Sequence, residues 1–312
     1  MNGLEVSRRF FHEWGLPFLG REFPRLVDRV AAGRVGGSDV IGADDEWSQD
    51  HDWGPTFGLF LTEEDYQVVG AELSAAINAA APRTFLGCRY HFFGREKDPI
   101  DVGSIDGSAR YHAGRTHPPQ TAREWFLRRG QAASLVERES WLYFFVHGPV
   151  FHDPLGEFTA RKQMFARYPP DVRRRLIADL CLGIWADGEY KFCTRYVHRK
   201  DQVTIHVALG SFVQQVMRLC FLVNDDYAPH EVWLHHEFRK LPEAEELDPK
   251  LQQLVASRDL EEQCELVHHV SHLLRRRLLA AGLVDSEERD YGLRCRDVEA
   301  RIGNKWVREM HS

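Results

Sequence analysis

The chain has 312 residues, 43% hydrophobic and 28% charged, with a formal net charge of −7. That length suits two domains or one large one at roughly 100–200 residues each, and the composition excludes a disordered chain, a collagen and a coiled-coil rod. The acidic balance disfavours long nucleic acid, whose binding needs a basic face that displaces counterions. It leaves room for one small polyanion held through a metal ion, because Mg²⁺ sites are built from carboxylates.

In chain order, helical spacing of apolar residues predicts helices over 5–15 (Phe10, Phe11, Trp14) and 22–32 (Leu26, Val27, Val30), with Gly33 as a stop. Val35 to Gly42 reads as a short β-like run broken by glycines. An extended stretch from about residue 50 ends in Gly58-Leu59-Phe60-Leu61. Thr62 followed by Glu63, Glu64 and Asp65 predicts an N-cap and an acidic first turn, hence a helix over 63–80 that stops before Pro82. Strands follow over 84–93 and 100–105. Thr121-x-x-Glu124 has the capping-box pattern, and Val150 to Gly156 reads as a strand entering a turn.

From about residue 157 strand signals fade. Amphipathic helices are expected over 171–187, 201–224, 244–256, 259–282 and 286–308. The expected fold is therefore α/β (α+β): a mixed sheet with flanking helices in 1–156, then an all-helical domain in 157–312 closing a cleft.

Six scattered cysteines without a CxxC pair fit reduced thiols. The N-terminal segment has no signal-like apolar run, and no stretch approaches the ~18 apolar residues of a membrane span. The expectation is a soluble cytoplasmic protein that does not bind membranes. The sequence fixes no oligomeric state.

One constellation carries chemistry. Gly36-Gly37-Ser38 is followed, eleven residues on, by Asp50-His51-Asp52. Carboxylates at i and i+2 of a strand share a face, so Asp50 and Asp52 could converge on hard cations. The Gly37-Ser38 turn offers unobstructed backbone N–H groups and a hydroxyl to a phosphate. Other signals read as structure. Cys264, His268 and His272 share one helix face but sit among leucines, and Arg275-Arg276-Arg277 reads as a solvated face. No Walker loop, G-x-G-x-x-G or G-x-S-x-G occurs.

The glycine-serine turn and the Asp-x-Asp pair together resemble the nucleotidyltransferase superfamily that includes DNA polymerase beta and kanamycin nucleotidyltransferase. His51 departs from the apolar residue usual between the two acids. Over the stretches around Gly36–Leu61, Gly148–Phe158 and Met217–Trp233, the chain resembles a bacterial nucleotidyltransferase-like family with a domain of unknown function in its helical half.

The resemblance implies that Asp50 and Asp52 hold Mg²⁺, or Mn²⁺, and that Gly37 and Ser38 cradle phosphates. It implies a third carboxylate on a later strand. Asp101, flanked by Ile100 and Val102, matches best, with Asp106 as the fallback. Lys191 and Arg195 of the helical half would reach the phosphates of the nucleotide. The implied activity moves an NMP from an NTP such as ATP to a hydroxyl or amine, releasing pyrophosphate, with a small-molecule acceptor as the first expectation. The alternatives are a nucleotide-binding regulator without turnover and a toxin or antitoxin module acting on protein or RNA.

Overall fold

Phe57-Gly58-Leu59-Phe60-Leu61 is buried at all five positions, as an inner strand covered on both faces must be. The structure, a computed structural model, describes residues 2–94, 97–114, 117, 124 and 135–310. The capping-box start at Thr121 lies outside them. The described residues divide into two compact units that change over between Ala166 and Arg167.

In the first unit, β1 is Ala31–Gly33, β2 His51–Trp53, β3 Phe57–Leu61, β4 Thr84–Phe85, β5 Cys88–Arg89, β6 His91–Phe92, β7 Ile100–Ser104 and β8 Val150–His152. The main sheet runs β7-β3-β1-β8. β3 pairs in parallel with β7, placing Gly58 opposite Asp101. β1 is antiparallel to both β3 and β8, so the sheet is mixed. β2 pairs with β6 apart from it.

Alternation along β3 sorts the two faces. Phe57, Leu59 and Leu61 enter a core with Phe10, Phe11, Leu19, Leu73 and Ile77. These come from α1 (Gly3–Phe10), a following π turn, α2 (Leu16–Glu22) and α3 (Glu63–Ala80). Phe60 points the other way and stacks on Phe158 at 4.1 Å, from the helix Glu157–Met164. Each such fully buried ring contributes about 1.5–3 kcal/mol.

α3 starts where the capping chemistry puts it: Thr62 Oγ1 accepts from Asp65 N at 3.1 Å. It ends because Pro82 forces Ala81 out of the helical region. β7 passes directly into α4 (Ile105–Ala113), capped by Ser104 Oγ accepting from Gly107 N at 2.8 Å.

Four expectations differ from the structure. The segment 22–32 is a short 3-10 turn, Pro24–Leu26, that leads into β1. The β-like run at 35–42 is a 3-10 turn, Ser38–Ile41, because Gly37 and Gly42 take positive φ. The last helix splits into Cys295–Ala300 and Lys305–Glu309. Residues 157–166, assigned from the sequence to the second domain, group with the first unit and carry the helix Glu157–Met164, which the sequence reading did not place.

The second unit is helical: Pro170–Ile184, a π-helical stretch Trp185–Tyr196, Gln202–Val223, Glu231–Phe238, Ala244–Ala256 and Leu260–Ala280 precede the last two. The wholly buried Arg175 binds Asp179 at 2.5 Å and Glu299 at 2.8 Å, joining distant parts of this unit. By length and composition alone, Gln202–Val223 is long and apolar enough to cross a membrane. With 56% of that window buried, it also fits a core helix of the unit.

Candidate active-site cavity

A cavity of about 530 Å³ opens on the face of β3 that carries Gly58 and Phe60. Its charged end holds Arg34, Asp52, Lys97 and Asp101. Its other end is aromatic, with Tyr111, His112, Trp141 and Phe144. Gly36, from the glycine-rich turn, also reaches it. Every wall residue belongs to the first unit.

The charged end is built around the buried Arg34. Its Nη2 donates to Asp39 Oδ1 at 2.8 Å and to the Asp52 carbonyl at 2.6 Å, while Nε donates to Asp39 Oδ2 at 3.3 Å. The Asp39 carboxylate thus holds the guanidinium in its charged form inside the protein. Gly37 must be glycine here. Its φ is +99°, and a Cβ would come within 2.5 Å of both Arg34 Nη2 and Asp39 Oδ1. Arg34 therefore ties the glycine turn to the backbone of Asp52. Ser38 is buried, and its hydroxyl donates to Ser48 O at 3.2 Å.

Asp52 and Asp101 face this cavity from two different strands. Asp52 Oδ1 accepts from Tyr90 Oη at 3.0 Å and lies 3.4 Å from Lys97 Nζ. Burial raises the Tyr90 phenol, and the neighbouring Asp52 and Asp101 carboxylates raise it further, so it keeps its proton and donates. The Asp101 carboxyl is also raised. Desolvation by the surrounding wall is the chief cause, Lys97 opposes it, and the charge of Asp52 adds to it.

Asp50 is placed differently. Its carboxylate is 53% exposed, binds His51 Nδ1 at 2.8 Å and does not line the cavity. The His51 contact lowers its pKa. The expected shared face fails for a backbone reason. Asp52 has φ +48°, and the β2–β6 register shifts between His51 and Trp53, so the two-residue alternation is broken. Asp106, the fallback, lies outside the cavity wall and forms an ion pair with Arg161. Lys191 and Arg195 lie in the π-helical stretch of the second unit. Lys191 Nζ binds Asp187 at 3.0 Å, and the Arg195 guanidinium lies 4.6 Å over the Tyr190 ring.

The sequence reading missed Arg34, Tyr90, Lys97 and Trp141. The Arg34–Asp39 spacing matches no helix or strand period, so only the turn between them could have signalled the pair. On the aromatic side, Trp141 stacks on the half-exposed Tyr111 at 5.5 Å. His112 Nδ1 is 2.9 Å from Ser108 O, and burial lowers its pKa to about 4, so it is neutral at pH 7.

Among the described residues, no group of three or more His, Cys, Asp or Glu stands together to hold a metal ion. Two carboxylates do share the cavity, the charge of Asp52 being felt at Asp101, with a lysine beside them as counter-cation. That donor set fits one Mg²⁺ completed by water and substrate phosphates, which commonly needs only one or two carboxylates. It does not make a three-carboxylate cage.

Residues 135–234 match the family model for a domain of unknown function, DUF4037. This domain is associated with nucleotidyltransferase-like proteins. The match takes in Trp141 and Phe144 of the aromatic wall but none of the charged end. No curated protein matches the chain.

Proposed function

We propose that the chain is a metal-dependent nucleotidyltransferase that moves an NMP from an NTP to a hydroxyl or amine acceptor, releasing pyrophosphate. The observation that carries this reading is the convergence of Asp52, Asp101, Arg34 and Gly36 on one cavity. The DUF4037 match over residues 135–234 agrees with the resemblance from which the reading starts and names no activity of its own.

In this reading Asp52 and Asp101 hold Mg²⁺, or Mn²⁺, whose chemistry there is to neutralise phosphate charge and polarise the phosphoryl oxygens. Gly36, Gly37 and Ser38 present the turn on which the β- and γ-phosphates rest, and Arg34 keeps that turn fixed. Lys97, now paired with Asp52, turns to the phosphates when they arrive. Asp101, with its raised pKa, accepts the proton of the acceptor hydroxyl. Tyr111 and Trp141 offer a stacking surface to the nucleobase, an interaction that tolerates any base. The cavity volume suits small molecules, and so does the choice of a small acceptor.

Incubation of the full chain with each NTP, Mg²⁺ and a panel of hydroxylated and amino compounds tests the reading by mass spectrometry and pyrophosphate release. A nucleotidylated product is expected. Unchanged pyrophosphate release from a double variant, Asp52→Asn with Asp101→Asn, would sink the mechanism. One observation favours a second reading, a nucleotide-binding regulator: Asp50 faces solvent, which leaves two carboxylates in the cavity. Saturable NTP binding without product or pyrophosphate would select it.

A further inference from the structure

Cys193 in the π-helical stretch and Cys264 in the helix Leu260–Ala280 are 71 residues apart in sequence and meet in the second unit. The Cys193 thiol donates to the Cys264 carbonyl at 3.9 Å, which brings the two cysteines side by side. Both thiols are only partly buried, unlike the enclosed Cys181, Cys220 and Cys295. Cations stand close by. Buried Glu189 is held by Arg275 and Arg289, each at 3.1 Å, and the charge of Arg289 is felt at Cys193. One helical turn beyond Cys264, His268 Nδ1 is buried without a hydrogen-bond partner. The interaction between the neighbouring thiols raises Cys193, which keeps its proton, and lowers Cys264, which becomes the sulfur readier to ionise. These side chains do not close around a metal, since the described residues hold no such group.

We infer that Cys193 and Cys264 are a dithiol modification site that a hydroperoxide oxidises to an intramolecular disulfide. Cys264 is the attacking sulfur. Its thiolate forms an S–O bond with the peroxide, the O–O bond breaks, and the departing oxygen leaves protonated as water or alcohol. Cys193 then attacks the Cys264 sulfenic acid. The S–S bond forms, the S–O bond breaks, and the Cys193 proton leaves with hydroxide as water. Two thiols lose two electrons and one peroxide gains them. The bond ties the stretch that carries Lys191 and Arg195 to the neighbouring helix.

The test treats the reduced full chain with a small excess of hydrogen peroxide, then maps peptides without reduction. The expected result is a Cys193–Cys264 cross-linked peptide that dithiothreitol reverses. Cys193→Ser should leave Cys264 as a sulfenic acid trapped by dimedone, and Cys88→Ser should not change the cross-link. Two results overturn the inference: Cys193 and Cys264 both still alkylated after peroxide, or both oxidised to sulfinic acids with no bond between them. The peptide map is read on the unmutated chain, so a misfolded variant does not decide it.

Discussion

A residue at φ +48° cannot continue the pleat of a strand, so the alternation that would put Asp50 and Asp52 on one face stops at Asp52. Aspartate and asparagine tolerate this left-handed conformation better than most residues. Asp52→Asn should therefore keep the backbone and remove only the charge. The expected outcome is at least a tenfold loss of Mg·NTP affinity, about 1.4 kcal/mol, with little change in the denaturation midpoint. Calorimetric titration and urea unfolding read the two effects separately.

Lys162 offers a second test on single residues. It is buried, donates to the Gly148 carbonyl and has a pKa lowered by desolvation from 10.5 to about 8. Between those values the unfolded chain binds the proton that the native protein has released, so native stability rises with pH through that window. The shift corresponds to a gain of about 3 kcal/mol. Lys162→Met should lack this gain. Unfolding free energies of variant and wild type measured from pH 7 to 10.5 should show the wild type gaining on the variant. Parallel pH curves would contradict it.

Among the elements, α3 is the one whose start and stop rest on local chemistry. Thr62→Ala removes the cap and should cost about 1 kcal/mol of stability. Nucleotide affinity should not change, because Thr62 is outside the cavity wall. A loss of affinity in a folded Thr62→Ala protein would show that α3 does more than support the sheet. Such elements were legible in the sequence. The helices 63–80, 202–223 and 260–280 carry caps and long apolar periods that need no tertiary help. β1 was not legible, because Ala31-Ala32-Gly33 has no strand propensity and is extended only through pairing with β3 and β8. Two of the cavity's wall residues were legible too: Asp52 stood out by spacing and Asp101 through the resemblance, whereas Gly37, Ser38 and Asp50, picked out by the same spacing, do not line it. Arg34, Tyr90, Lys97 and Trp141 gather from separate elements, which a linear pattern does not encode.

For the whole molecule, a net charge of −7 repels a free triphosphate, and two carboxylates in the cavity sharpen that repulsion. A divalent cation reverses the local sign. Nucleotide binding by the full chain should therefore depend on metal, and EDTA should abolish it. The most direct measurement is calorimetric titration of an NTP into the full chain, with Mg²⁺ and with EDTA, on wild type and the Asp52→Asn/Asp101→Asn double variant. The predicted result is saturable binding at one site with Mg²⁺, lost in EDTA and weakened at least tenfold in the double variant. No binding of any NTP with Mg²⁺, or equal affinity in EDTA and in the double variant, would contradict a metal-dependent nucleotide site.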